Sequence, residues 1–173
     1  MNVYLIRHTS VNVPKGTCYG QTDVSLNDSF EEEAQVVKNQ LKGKEFDYIY
    51  SSPLTRCKRL AHFCIQNQEI NYRPQLMEMD FGDWEMTQWD QLDFNAWDID
   101  WVNTPVPNGE SFCEMYQRVA GFLEKLKKES HENVAIFTHG GVLACANVFY
   151  TNIPLKNAFD NPFSYGEVLT FEV

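Results

Sequence analysis

His8, Arg56 and His139 lie far apart in the chain, yet each comes shortly after an apolar run of strand length. Their chemistry is complementary. A phosphoryl group in transfer spreads negative charge over three equatorial oxygens and needs fixed donors around it and an in-line nucleophile. Neutral His8 can attack phosphorus through a ring nitrogen. Arg7 and Arg56 offer planar forks of donors that suit phosphate oxygens better than a lysine point charge. His139 can donate to the same oxygens. Gly140 and Gly141 let the backbone turn tightly against a ligand, and the helix they open would aim free amides and a positive dipole end at an anion. The departing alkoxide needs a proton from a nearby carboxylic acid. Glu78 is the candidate, with Asp80 and Glu85 as rivals. Taken singly, a histidine past a strand can simply cap the sheet edge, so the weight falls on whether the elements converge.

The elements must place these residues at one edge. Val3-Tyr-Leu-Ile-Arg7 is an apolar run without alternation, as expected of a strand covered on both faces. Ser29-Phe-Glu-Glu32 has the form of a capping box and opens a helical stretch to about Lys42. Phe46 to Ser51 is a second strand, and Pro53 suits the first turn of the helix carrying Arg56, Leu60, Phe63 and Cys64. A short extended piece near Tyr72 precedes an irregular aromatic segment, Phe81 to about Val106, which contains all four tryptophans. Ser111-x-x-Glu114 is a second capping box, before Phe112, Met115, Val119, Phe122, Leu123 and Leu126 at helical spacing. Val134 to Thr138 is a third buried strand, and Val168 to Val173 a last one. Strands alternating with helices predict an α/β fold, a three-layer α/β/α sandwich with a mainly parallel sheet, as one domain over 1–173. In such sheets ligands sit at the carboxyl ends of the strands, where His8, Arg56 and His139 all fall.

Composition narrows the partners. The 173 residues are 43% hydrophobic and 22% charged, as in an ordinary globular protein. No run approaches the roughly 20 apolar residues of a membrane span, and no signal peptide is visible, so the expected location is the cytoplasm. A net charge of −10 argues against nucleic acid and against an anionic membrane surface. A small phosphate ester is still compatible, provided Arg and His reverse the field in one cleft. The five cysteines include no CxxC pair, which disfavours both a disulfide framework and a zinc site. Nothing in the composition points to a metal or cofactor, and it is compatible with a monomer or homodimer alike.

Leu5-Ile-Arg-His8, Ser51-Ser-Pro-Leu-Thr-Arg56, Glu78-Met-Asp-Phe-Gly-Asp-Trp-Glu85, Gly109-Glu-Ser111 and Thr138-His-Gly-Gly141 resemble, in this order, the motifs of the histidine phosphatase superfamily, which includes the cofactor-dependent phosphoglycerate mutases. The resemblance spans residue 3 to about 170 and implies a phosphoglycerate mutase-like fold. It implies a metal-independent phosphomonoesterase with His8 as the phosphorylated nucleophile. Arg7, Arg56 and His139 would complete the phosphate pocket, and Glu78 would be the proton donor. The first motif departs from the family: Thr9, Val11 and Pro14 stand where Gly, Thr and Asn are usual. Asn12 or Gln21 could replace the missing phosphate-contacting Asn, and Thr22 is expected near the phosphate.

Pro14 to Leu26 resembles the branch of α-ribazole-5′-phosphate phosphatases of cobalamin biosynthesis. Some of the aromatic residues of 81–106 could line the substrate mouth and stack on a flat base; alternatively they pack a cap onto the sheet. Four other readings compete. A phosphatase of another small ester, or a phosphoglycerate mutase, would keep the same residues. A non-catalytic phosphoester-binding module would be expected to lack His8, Glu78 or an arginine. A haloacid-dehalogenase-type enzyme would need an Asp-x-Asp pair after the first strand, whereas Asp98-Ile-Asp100 lies elsewhere.

Overall fold

The computed structural model describes all 173 residues. Strands β1 (Asn2–Arg7), β2 (Tyr48–Ser51), β3 (Asn71–Tyr72), β4 (Asn133–Thr138) and β5 (Val168–Glu172) form one sheet in the order β3-β2-β4-β1-β5. Four strands run parallel, and β5 joins the edge of β1 antiparallel. The register sets Arg7 opposite Thr138 and Ser51 opposite Phe137. Residues 8, 52 and 139 therefore leave the sheet side by side.

The apolar strands are covered on both faces. Val3, Leu5, Val134 and Ile136 pack under α4 (Phe112–Leu126) and α5 (Gly140–Thr151). The alternate residues Ile6, Ala135 and Phe137 pack against α1 (Phe30–Gln40) and α2 (Thr55–Cys64). This period-2 division of one strand between two cores is what makes three layers from an unbroken apolar run.

Local details depart from expectation at three places. The box at Ser29 does not form, because the Ser29 hydroxyl donates to Glu33, one residue beyond Glu32, at 2.6 Å. Glu33 is drawn there by the Ser10 amide and hydroxyl, 2.7 and 2.5 Å away. At its other end the first helix stops at Gln40, with Leu41 as C-cap, short of Lys42. Pro53 precedes the second helix and does not sit in its first turn, which begins at Thr55 after Leu54. The box at Ser111 does form: its hydroxyl accepts from the Glu114 amide at 3.2 Å, and Glu114 accepts from the Ser111 amide at 2.7 Å. In the aromatic segment one short helix appears, α3 (Asn95–Ile99), among 3₁₀ turns.

Candidate active site

His8 is buried, 1% exposed, at the end of β1. Its Nδ1 lies 2.7 Å from the Thr9 carbonyl, which can only accept, so Nδ1 carries the ring proton and the lone pair sits on Nε2. Burial, then the nearby Arg56 charge, hold its pKa well below the ordinary histidine value. At neutral pH it is an uncharged imidazole with a free nucleophilic nitrogen.

Arg56, in the first turn of α2, is completely buried and has no carboxylate partner. Its Nη2 donates to the Gly20 carbonyl at 2.6 Å, Nη1 to the Thr22 carbonyl at 3.0 Å, and Nε to His139 Nδ1 at 3.3 Å. Of its five N–H donors two remain. Arg7 donates to the Phe163 carbonyl, but its buried Nε has no partner, and the Tyr165 ring lies 4.1 Å from its guanidinium. In a chain of net charge −10, Arg7 and Arg56 thus both stand near His8 with no carboxylate to neutralise them.

His139 caps α5, and its ring centroid is 5.1 Å from that of His8. Because Nδ1 accepts from Arg56, the proton is on Nε2, which donates to Ser52 Oγ at 2.8 Å. Burial and Arg56 lower its pKa as well. A bond from His139 to phosphate thus requires Ser52 to release that proton.

Glu78 lies across the start of α5. Its Oε2 accepts from the Gly141 amide at 3.2 Å and its Oε1 from the Met79 amide at 3.0 Å. A Cβ on residue 141 would fall 2.2 Å from Glu78 Oε1, so glycine is what admits the carboxyl here. The helix amide expected to face a ligand is occupied by Glu78. The rivals are placed otherwise. Asp80 turns back onto the Gly82 amide at 3.0 Å. Glu85 binds the Gln21 and Thr22 amides at 2.8 and 2.7 Å, the Phe81 amide at 3.2 Å and the Thr22 hydroxyl. It clamps the loop whose carbonyls hold Arg56. A Cβ on residue 20 would come within 2.3 Å of Glu85, and Gly20 has φ +38°, so this loop too requires glycine.

A cavity of about 940 Å³ opens beside these residues, and Arg7, Gly140, Gly141 and Glu78 line it. Gln21 and Thr22 do not. The Gln21 side chain donates to the Glu78 carbonyl at 3.0 Å and the Thr22 hydroxyl is spent on Glu85, so both shape the loop. Asn12 is exposed and outside the cavity, whereas Ser10 and Asn27 line it. The far wall is apolar: Phe81, Trp89, Trp97, Trp101 and Phe112 line it, while Trp84 is buried behind, 5.6 Å from the Trp97 ring. The aromatic segment is therefore both cavity wall and packed cap.

Sequence reasoning missed two residues at the phosphate end. Tyr19 and Tyr165, from loops 146 residues apart, are joined by their hydroxyls at 2.9 Å. Tyr165 also stands 5.6 Å from the His8 ring, and both tyrosines line the cavity. In the sequence neither stands near an arginine; Tyr19 falls within the Pro14 to Leu26 segment and Tyr165 in no motif.

The family model of the histidine phosphatase superfamily (branch 1) matches residues 3–173. The chain belongs to this superfamily. An adenosylcobalamin/alpha-ribazole phosphatase of Escherichia coli is 34% identical over 155 residues, covering 83% of this chain and 76% of the relative. Phosphoserine phosphatase 1 of Hydrogenobacter thermophilus is 28% identical over 149 residues, covering 80% of this chain and 71% of that one. Among solved structures, the alpha-ribazole phosphatase from Shigella flexneri has a TM-score of 0.91 at 27% identity and covers 100% of this chain and 91% of its own. As a histidine phosphatase the chain is a phosphoric monoester hydrolase acting on small phosphate esters, and no helix in it is long and apolar enough to cross a membrane.

Proposed function

We propose that this histidine phosphatase, working as one unit over 1–173 in the cytoplasm, hydrolyses α-ribazole 5′-phosphate of cobalamin biosynthesis through a phosphohistidine at His8. The observation that carries the site is the pairing of a neutral His8, with its lone pair on Nε2, and two arginines that no carboxylate neutralises. In the first step the Nε2 lone pair forms a bond to phosphorus as the P–O ester bond breaks. Arg7 and Arg56 stabilise the equatorial oxygens, and Glu78 gives its proton to the departing oxygen. In the second, water attacks the phosphohistidine, Glu78 takes the proton of the water, and the N–P bond breaks with its electron pair returning to Nε2. Every proton is moved by a side chain of the chain itself, so no metal is required.

Two observations support the substrate. The Escherichia coli and Shigella flexneri relatives carry this activity in their names. The cavity wall opposite the phosphate end is built from Phe81, Trp89, Trp97 and Trp101, which suits a flat aromatic base better than the short polar chain of phosphoserine or phosphoglycerate. The test is phosphate release from α-ribazole 5′-phosphate in EDTA, with 3-phosphoglycerate and p-nitrophenyl phosphate alongside and His8→Ala as the blank. Efficient release from the ribazole ester alone is expected, with no activity in His8→Ala. Release only from p-nitrophenyl phosphate would discard the ribazole assignment, and an active His8→Ala would discard the phosphohistidine. Gel filtration of the same sample separates monomer from homodimer.

A further inference from the structure

The stretch that carries Glu78 belongs to no sheet ladder. After β3 comes a 3₁₀ turn, Pro74–Leu76, and then residues without regular structure. Its backbone groups must find partners elsewhere, since buried carbonyls and amides are rarely left unpaired. They find them mainly in one side chain. Arg118 Nη1 donates to the Gln75 and Met77 carbonyls at 2.9 and 2.8 Å, and Nη2 to the Glu78 carbonyl at 2.9 Å. The remaining two donors go to Glu110: Nε to Oε2 at 3.0 Å and Nη2 to Oε1 at 2.6 Å. Glu110 then accepts from the Asp80 amide at 2.9 Å and returns its own amide to the Asp80 carbonyl at 2.9 Å. All five guanidinium donors are used: residues 75, 77 and 78 are tied to one planar group, and residue 80 to the Glu110 that the group holds.

That group stands on a rigid support. Arg118 projects from α4, which has a closed capping box and buries Phe112, Met115, Val119 and Leu123 in the main core. We infer that Arg118, oriented by Glu110, is a positioning residue for the proton donor: it fixes the backbone of 75–80 so that the Glu78 carboxyl reaches across to the Gly141 amide and faces the departing oxygen. The inference rests on the reading of Glu78 as proton donor. A lysine cannot replace this arginine, because three tetrahedral donors cannot reach three carbonyls and a bidentate carboxylate at once.

A misplaced acid harms only esters whose leaving group needs a proton. The experiment measures kcat/KM for an alkyl phosphate and for p-nitrophenyl phosphate in wild type, Arg118→Lys, Glu110→Gln and Glu78→Gln. General acid catalysis contributes about 10²- to 10⁴-fold. Arg118→Lys is expected to lose about 10²-fold on the alkyl ester and only a few-fold on p-nitrophenyl phosphate, in the pattern of Glu78→Gln. Glu110→Gln should lose less, with the same selectivity, and carries the test alone if Arg118→Lys does not fold. Equal losses on both esters in the Arg118 and Glu110 variants, beside a selective loss in Glu78→Gln, would overturn the positioning role. Equal losses in Glu78→Gln itself would remove the proton-donor reading and the inference with it.

Discussion

Arg56 and Arg118 sit in the same protein and are used in opposite ways. Arg118 has its charge matched by Glu110 and all five donors filled. Arg56 is more deeply buried, has no carboxylate in reach, and keeps two donors unspent. Burying an unpaired charge is costly, and the fold tolerates it only by surrounding Arg56 with two backbone carbonyls and a neutral histidine. The difference separates a guanidinium whose five donors all hold the chain from one that keeps two free, and counting donors distinguishes them where burial and charge alone do not.

The largest effect that would sharpen this contrast is expected from Arg56→Lys. A lysine keeps the charge and loses the fork, so kcat/KM should fall about 10²- to 10³-fold on every ester, good leaving groups included. Inorganic phosphate should also cease to raise the thermal midpoint of the variant. In wild type a ligand at 100 times its Kd stabilises by about 2.7 kcal/mol. An Arg56→Lys protein that phosphate still stabilises as strongly as wild type would place the anion elsewhere.

A second effect concerns pH. Burial, and Arg56 beside it, keep His8 and His139 neutral in the folded state well below the value of a free histidine. Below about pH 6.5 the unfolded chain takes up protons that the folded chain refuses, so the unfolded state binds more protons and stability falls as pH falls. Each histidine contributes a slope of up to about 1.4 kcal/mol per pH unit. Urea unfolding between pH 5 and 6.5 should show this slope reduced by one histidine's share in His8→Asn. Arg56→Gln should shrink it as well, by raising both folded-state values. An unchanged slope in His8→Asn would show that His8 takes up its proton in the folded protein as it does in the unfolded chain.

The strand ends were legible because a strand buried on both faces is written as an unbroken apolar run, and Arg7-His8 and His139 follow such runs directly. The box at Ser111 was legible because both partners are local. At Ser29 the same pattern failed, since Ser10, far back in the chain, competes for Glu33. Arg118 was illegible for a related reason. On an amphipathic helix it reads as an ordinary solvated charge, and its partners at 75, 77, 78 and 110 are brought together only by the fold. Thr22 and Gln21 were expected at the phosphate, but Glu85 and the Glu78 carbonyl claim their polar atoms and neither lines the cavity. Pairwise claims between distant residues leave no periodic trace in a sequence.

The smallest effect tests how far the contrast extends past the arginines. Tyr165 covers Arg7 and stands beside His8, and its hydroxyl is held by Tyr19 across the cavity. His8 is only 1% exposed and Tyr165 stands against its ring, so a phosphate reaching Nε2 is expected to part this pair. Tyr165→Phe keeps the ring over the guanidinium and deletes one hydrogen bond of about 0.5–1.5 kcal/mol, so kcat/KM should change by no more than about 2- to 10-fold. The change should appear in KM and in the rate of phosphate binding, measured by stopped-flow Trp fluorescence, and kcat should hold. A loss near 10²-fold in kcat would mean that the hydroxyl touches the transferring phosphoryl group. Tyr165 would then belong with Arg56 among the groups whose donors are kept for the ligand, and the cover over the site would be part of its chemistry.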